Sequence, residues 1–472
     1  MMRMMMMRAQ PPVVLLAVVG VLACLPATSL AYDNGVALKP AMGWNTWCTL
    51  SDCHNGDNKY FDRCNEWEIR DIAEAMLTNG MYDLGYRYIN LDDCWAATER
   101  DAQGNIQPDP DRFPSGMRAM ADWLHKKGLK FGLYTSMGSA TCNRGGRPKD
   151  IPGSFGHYKE DAATFASWHM DYVKVDWCGH DLFDSKLQHT ELSNALNATG
   201  RPIWLELCRG YSYDPIPPYV AEVAQSWRAT GDHQDEWSNS KTVIQAFMNP
   251  SNPSVPHAWN YGDFLMTGGP GCNVNASLHC PRQTDDEYRT TFSVWSIASS
   301  PLIVATDIRN MTAIMTECLL NKEAIAINQD YTSAAGKLIG SDTRDPVCAS
   351  GGDGDAPTCP VFGRKLSDGT YAAVLINLAD SGRANVTMDL GWLGLPSSAT
   401  VTVNNILKQR SMGTAKGTLT VPLSPHESVY VRLTRTTTTR NDTSSADGVV
   451  TARVHTSGEQ QGPVTMVLDR NN

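Results

Sequence analysis

The 472 residues carry 40 lysines and arginines against 50 aspartates and glutamates, a formal charge of −10. An acidic chain of this kind lacks the basic surface that nucleic acid requires, so no nucleic-acid partner is expected. With a leader set aside, about 440 residues remain, more than one ordinary core holds, and two domains are predicted.

The leader is residues 1–31, a signal peptide by pattern. Arg3 and Arg8 give a basic start, 13–25 is an apolar run, and Ser29-Leu30-Ala31 offers a small-x-small cleavage site. The run is too short to span a bilayer and no later segment approaches it, so no membrane span is expected. The mature chain should begin near Tyr32 and be secreted, or sent to a lysosome or vacuole. Cys24 leaves with the leader, and the 12 other cysteines read most simply as disulfides in an oxidising compartment. Cys48, Cys53, Cys64 and Cys94 lie close in sequence; Cys272 with Cys280, and Cys348 with Cys359, read as loop staples. Spacing assigns no partner to Cys208 or Cys318. No Cys-x-x-Cys occurs, which argues against a zinc site. Sequons at Asn197, Asn275, Asn310, Asn385 and Asn441 fit an N-glycosylated secreted protein.

From residue 37 to about 310 short apolar runs alternate with amphipathic stretches. Strands are predicted at 41–47, 86–91, 130–135, 172–175, 202–207, 224–229, 256–260 and 302–305. Helices fall between them. Ile69, Ile72, Ala73, Met76 and Leu77 make an i, i+3, i+4, i+7, i+8 stripe, repeated by Met117, Met120, Trp123 and Leu124, and by Leu192, Ala195 and Leu196. Eight β-then-α units fit a closed barrel better than an open sheet, and no Gly-x-Gly-x-x-Gly follows a strand. After Gly336 the texture changes to period-2 alternation at 371–378, 384–390, 400–404, 418–423 and 428–433, an antiparallel pattern. The predicted fold class is α/β: a (β/α)8 TIM barrel over 32–332, then a C-terminal antiparallel β-sandwich domain over 333–434. Residues 435–472 are Thr/Ser-rich and expected to be a disordered tail.

In such a barrel the reactive side chains gather at the C-terminal ends of the strands. Those ends carry Trp44 and Trp47, Asp92 and Asp93, Tyr134, Lys174 and Asp176, Cys208 and Arg209, Arg228 and Asp232, and Asp263. In the 172–176 run, alternation puts Val173 and Val175 on one face and Tyr172, Lys174 and Asp176 on the other. Alone, a strand ending in Lys-x-Asp reads as a structural ion pair. The full set of carboxylates, aromatic rings and cations suits a sugar, whose faces stack on rings and whose hydroxyls donate to carboxylates.

Six motifs in order carry a family resemblance. They are Met42-Gly43-Trp44-Asn45-Thr46-Trp47, Asn90-Leu91-Asp92-Asp93-Cys94-Trp95, Gly132-Leu133-Tyr134, Lys174-Val175-Asp176-Trp177-Cys178, Trp227-Arg228-Ala229-Thr230-Gly231-Asp232 and Trp259-Asn260-x-x-Asp263. The chain resembles the α-galactosidase / α-N-acetylgalactosaminidase (melibiase) family of retaining glycoside hydrolases. The resemblance implies Asp176 as nucleophile and Asp232 as acid/base. It implies Asp92 and Asp93 on the 4- and 6-hydroxyls, Trp47 stacked on the sugar, and Tyr134, Lys174, Arg228 and Asp263 around it. Cys142 and Cys178 resemble a disulfide beside the nucleophile. The charge of Lys174 is expected to favour ionised Asp176, and Asp232 to have its pKa raised by an anionic neighbour. No metal or organic cofactor is implied.

Two stretches depart from the family pattern. Cys208-Arg209-Gly210-Tyr211 stands where the family reads Cys-Glu-Trp, and Asn260-Tyr261-Gly262-Asp263-Phe264 where it reads Asn-Asp-Pro-Asp-Met. Arg209 therefore leaves the preference at the sugar 2-position open. The expected activity is hydrolysis of terminal α-D-galactosyl residues of oligosaccharides or glycoconjugates, by a monomer or homodimer. α-N-Acetylgalactosaminidase, β-L-arabinopyranosidase and an inactive galactose-binding lectin-like protein are the alternatives.

Overall fold

The computed structural model describes residues 32–47, 64–142, 151–250, 254–268, 282–350 and 356–436. The predicted leader, Cys48, Cys53, Cys272, Cys280, the sequons at Asn275 and Asn441, and nearly all of the predicted tail lie outside these.

Eight parallel strands form the first sheet: β1 (Met42–Asn45), β2 (Tyr88–Asn90), β3 (Lys130–Ser136), β4 (Tyr172–Asp176), β5 (Trp204–Leu207), β6 (Ser226–Arg228), β7 (Trp259–Tyr261) and β8 (Leu302–Val304). Each strand from β1 to β6 pairs with the next in sequence, and β8 returns to β1. The ring closes just past β7, where Leu265 bridges Val304 in parallel and its N–H donates to the Ile303 carbonyl at 2.8 Å. A (β/α)8 barrel results, with all eight predicted strands present; six are shorter than their apolar runs, while β3 and β4 each run one residue further, to Ser136 and Asp176.

Alternation sorts the strand residues between two cores. Ile89, Val173, Val175, Leu205 and Leu207 face outward onto the helices. Tyr88, Tyr172, Trp204, Trp259 and Ile303 face inward and fill the barrel, with Tyr172 and Trp204 stacked at 5.7 Å between centroids. Helix α1 (Glu66–Thr78) turns Ile69, Ile72, Ala73 and Met76 to the outer core, and α2 (Gly116–Lys126) turns Met117, Met120 and Leu124. Each Ile, Leu or Met side chain among these contributes about 1.5–3 kcal/mol when fully buried. Asn65 starts α1 by accepting from the N–H groups of Trp67 and Glu68, which otherwise have no intrahelical acceptor. Next come α3 (Tyr158–Ser167), α4 (Ser185–Ala198), α5 (Tyr219–Val223), α6 (Trp237–Ala246), α7 (Asp285–Ile297), α8 (Ala313–Leu319) and α9 (Lys322–Asn328).

Beyond α9 the chain forms one hydrogen-bonded antiparallel set: β9 (Lys337–Ser341), β10 (Pro360–Lys365), β11 (Tyr371–Ile376), β12 (Ala384–Asp389), β13 (Thr400–Asn405), β14 (Arg410–Lys416), β15 (Thr418–Leu423) and β16 (Ser428–Arg435). Its two halves fold over a shared core of Val361, Leu375, Val386, Val403, Val421 and Leu433. The alternate residues Phe362, Val374, Ile376 and Tyr430 point the other way and join the core of the barrel. Buried Arg364 fastens this junction. It donates to Ser299 Oγ (2.8 Å) and to the carbonyls of Ile327 (3.0 Å) and Asp330 (2.6 Å), where α7 and α9 end.

Three disulfides occur among the described residues: Cys64–Cys94, Cys142–Cys178 and Cys348–Cys359. The expectation that all twelve cysteines pair is corrected, because Cys208 and Cys318 are free thiols, both buried. Asn197, Asn310 and Asn385 are exposed, as glycosylation acceptors must be. No helix among the described residues is long and apolar enough to cross a membrane.

Candidate active site

The C-terminal strand ends bring the expected side chains together. Asp176, the last residue of β4, receives the Tyr134 hydroxyl on Oδ2 at 3.3 Å and the Trp177 N–H on Oδ1 at 2.8 Å. The Cys142–Cys178 disulfide lies two residues further on. Lys174 sits one inward step below Asp176, but its ammonium bonds Asp92 Oδ2 at 2.8 Å. Burial opposes that charge; Asp92 first, then Cys208, Asp176 and Asp263 outweigh it and hold Lys174 well above the usual lysine pKa. Three rings surround the ammonium: Phe264 at 4.6 Å, Tyr134 at 5.4 Å and Trp47 at 5.8 Å from their centroids.

Asp92 is buried, and burial raises its pKa despite Lys174. Its N–H donates to Thr46 Oγ at 2.8 Å, and Asp93 donates its N–H to Asp92 Oδ1 at 3.0 Å. Asp92 is thus tied to Thr46, the residue after β1, and Asp93 to Asp92. Trp47 is half-buried beside them, whereas Trp44 is wholly buried and donates to the Thr306 carbonyl at 3.0 Å. Trp44 belongs to the core, not the pocket.

Around Asp232 lies a cluster of guanidinium groups. Arg228, at the end of β6 and 1% exposed, reaches Asp263 Oδ2 at 2.9 Å and Asp232 Oδ1 at 3.2 Å. It also donates to Cys208 Sγ at 3.2 Å. Asp263 accepts the His233 N–H at 2.7 Å, and burial raises its pKa. Arg209, two residues past β5, donates to Asp232 Oδ2 at 2.8 Å. The expectation of a raised Asp232 pKa is overturned here. Burial pushes that carboxyl up, but Arg228, Arg209 and Lys174 together pull it down to about 2.

One ionisable residue escaped the strand-end reading. Glu206, in the middle of β5, is buried and accepts the Tyr172 hydroxyl; burial above all raises its pKa to about 7. The signal was an acid between Leu205 and Leu207, at an inward position of an otherwise apolar strand. Thr46, which anchors Asp92, and the Phe264 ring over Lys174 complete the surroundings.

Residues 39–330 match the family profile described as alpha galactosidase A, and residues 357–433 match the alpha galactosidase C-terminal beta sandwich domain. The chain belongs to the melibiase family of glycoside hydrolases. It is 37% identical over 405 residues to an alpha-galactosidase of Coffea arabica, covering 85% of this chain and 95% of that one. It is 35% identical over 394 residues to an alpha-galactosidase of Cyamopsis tetragonoloba (84% and 86% covered). An alpha-N-acetylgalactosaminidase of Gallus gallus is 31% identical over 388 residues (79% and 87%). The crystal structure of alpha-galactosidase I from Mortierella vinacea superposes with a TM-score of 0.69 at 27% identity, covering 85% of this chain and 98% of that one. As a melibiase, the chain is an enzyme with the two-part architecture that both profiles describe.

Proposed function

We propose that this melibiase is a retaining exo-α-galactosidase that removes terminal α-D-galactosyl residues from oligosaccharides or glycoconjugates. The observation that carries the reading is the pair of strand-end carboxylates, Asp176 oriented by Tyr134 and Trp177, Asp232 by two guanidinium groups. In the first step Asp176 attacks the anomeric carbon, the glycosidic C–O bond breaks, and Asp232 gives its proton to the departing oxygen. In the second, Asp232 takes a proton from water, whose oxygen attacks the anomeric carbon and frees Asp176. Asp92, held by Lys174, and Asp93 accept from the 4- and 6-hydroxyls. Trp47 stacks on the sugar, and Tyr134, Arg209, Arg228 and Asp263 line its surroundings.

Replacing Asp176 by Asn tests the assignment: a correctly folded D176N is expected to lose turnover of p-nitrophenyl α-galactoside, and undiminished activity would sink it. One observation favours a second reading, α-N-acetylgalactosaminidase. Arg209 is a donor where the family pattern has an acceptor, and a guanidinium serves an acetamido oxygen as well as a hydroxyl. A panel of p-nitrophenyl α-galactoside, α-N-acetylgalactosaminide and β-L-arabinopyranoside separates the three activities. The leader pattern, the disulfides and the exposed sequons support secretion or lysosomal or vacuolar delivery with N-glycosylation.

A further inference from the structure

Both oxygens of Asp232 are engaged by guanidinium N–H groups, Oδ1 by Arg228 at 3.2 Å and Oδ2 by Arg209 at 2.8 Å. A guanidinium only donates. A protonated Asp232 would therefore turn an O–H toward an N–H and forfeit one of these charge-assisted bonds. The two arginines differ in freedom. Arg228 is buried and tied to Asp263, so it stays in place. The Arg209 side chain is 45% exposed and stands in the wall of an open cavity of about 730 Å³, beside Trp177, Tyr213 and Gly231. Among the described residues it is the one charged member of that wall.

We propose that Arg209 is a positioning residue for the proton of Asp232. It keeps the free site in the carboxylate form, and an aglycone entering the cavity must displace it before Asp232 can protonate the leaving oxygen. The proposal rests on the reading of Asp232 as acid/base. It makes the two chemical steps unequal. Water activation needs Asp232 as a carboxylate, which Arg209 favours. Protonation of an alkoxide leaving group needs the acid, which Arg209 opposes, while a nitrophenolate leaves without it. The charged groups facing Asp232 are Arg228 from β6, Arg209 from beyond β5, Lys174 and Asp176 from β4 and Asp263 from beyond β7, with the Cys208 thiol and Tyr213 hydroxyl nearby. The cations prevail, and Arg209 is the one with room to leave.

The test measures kcat/KM for methyl α-galactoside and p-nitrophenyl α-galactoside from about pH 3 to 8 with wild type, R209Q and R209K. In R209Q the methyl-to-nitrophenyl ratio is expected to rise tenfold or more. The alkaline limb for the methyl glycoside, which reports the acid of the free enzyme, is expected to lie at or below the acid edge of that range in wild type and to move up into it, by a pH unit or more, in R209Q. R209K keeps the charge, so its methyl-to-nitrophenyl ratio and its alkaline limb should stay near the wild-type values, whatever its absolute activity. Titration of the Asp232 carboxyl by 13C NMR, which needs no turnover, should show the same upward shift in R209Q. An unchanged ratio and limb in R209Q overturn the proposal; so does an equal loss on both substrates, which marks Arg209 as a substrate contact alone. An R209K as altered as R209Q overturns it too. Wild type inactive on p-nitrophenyl α-galactoside would overturn the activity reading instead, independently of the NMR result for Arg209.

Discussion

The ammonium of Lys174 lies 2.8 Å from Asp92 Oδ2, and both groups are withdrawn from solvent. Breaking a buried pair leaves its surviving charge uncompensated, at a cost of about 3–5 kcal/mol. K174M is therefore expected to destabilise the protein by that order in urea unfolding. D92N/K174M, which removes both charges, should recover much of the loss while remaining inactive. Equal stability of the single and double variants would show that the pair is not coupled.

Glu206 gives a pH-dependent prediction. Its pKa is raised from 4.5 to about 7 in the folded protein, first by burial. The neutral acid is thus favoured by folding, so the stability it contributes is full below pH 4.5 and is lost as pH rises through 7. E206Q keeps an acceptor for Tyr172 without the charge. It should match wild type near pH 4, gain progressively above it, and level off above pH 7 at about 3 kcal/mol. Thermal melts across that range check it; a pH-independent difference would contradict it.

The buried thiols are expected to be inert. Burial raises Cys208 and Cys318 well above the usual thiol pKa, so little thiolate forms near neutrality. Peptide mapping after iodoacetamide treatment should find both unmodified in the native protein and both alkylated after unfolding. Rapid native labelling of Cys208 would contradict its place beneath Arg228.

Arg364 is the fourth test. R364A strands the carbonyls of Ile327 and Asp330 at the junction between barrel and β-domain. A loss on the order of 3 kcal/mol is expected from those unpaired acceptors, with kcat per folded molecule unchanged. Differential scanning calorimetry and active-site-normalised assays read the two effects separately.

The barrel was legible because its strands combine an apolar outer set with reactive ends, as in Val173 and Val175 against Lys174 and Asp176. Helix α7 was less so: every residue from Thr290 to Ile297 is buried between the barrel and the β-domain, which erases the amphipathic stripe. Strands β9 and β14 were missed for the opposite reason. Neither buries a regular alternate set, and Arg410–Lys416 is exposed at all positions but Ala415. The candidate site residues were readable as types at strand ends. What Arg209 touches was not, since its contact with Asp232 joins loops that follow different strands. The protonation of Asp232 depends on that contact, which is why the motif alone gave the wrong direction.

The anomeric configuration of azide-rescued product tests the central claim most directly. D176G leaves a space that azide fills, and azide attacking an activated α-galactoside from the nucleophile's side gives β-galactosyl azide. D232G leaves Asp176 in place, and azide attacking the covalent intermediate gives α-galactosyl azide. The account predicts β-azide from D176G and α-azide from D232G, read by 1H NMR. The reverse assignment, or α-azide from D176G, would contradict it.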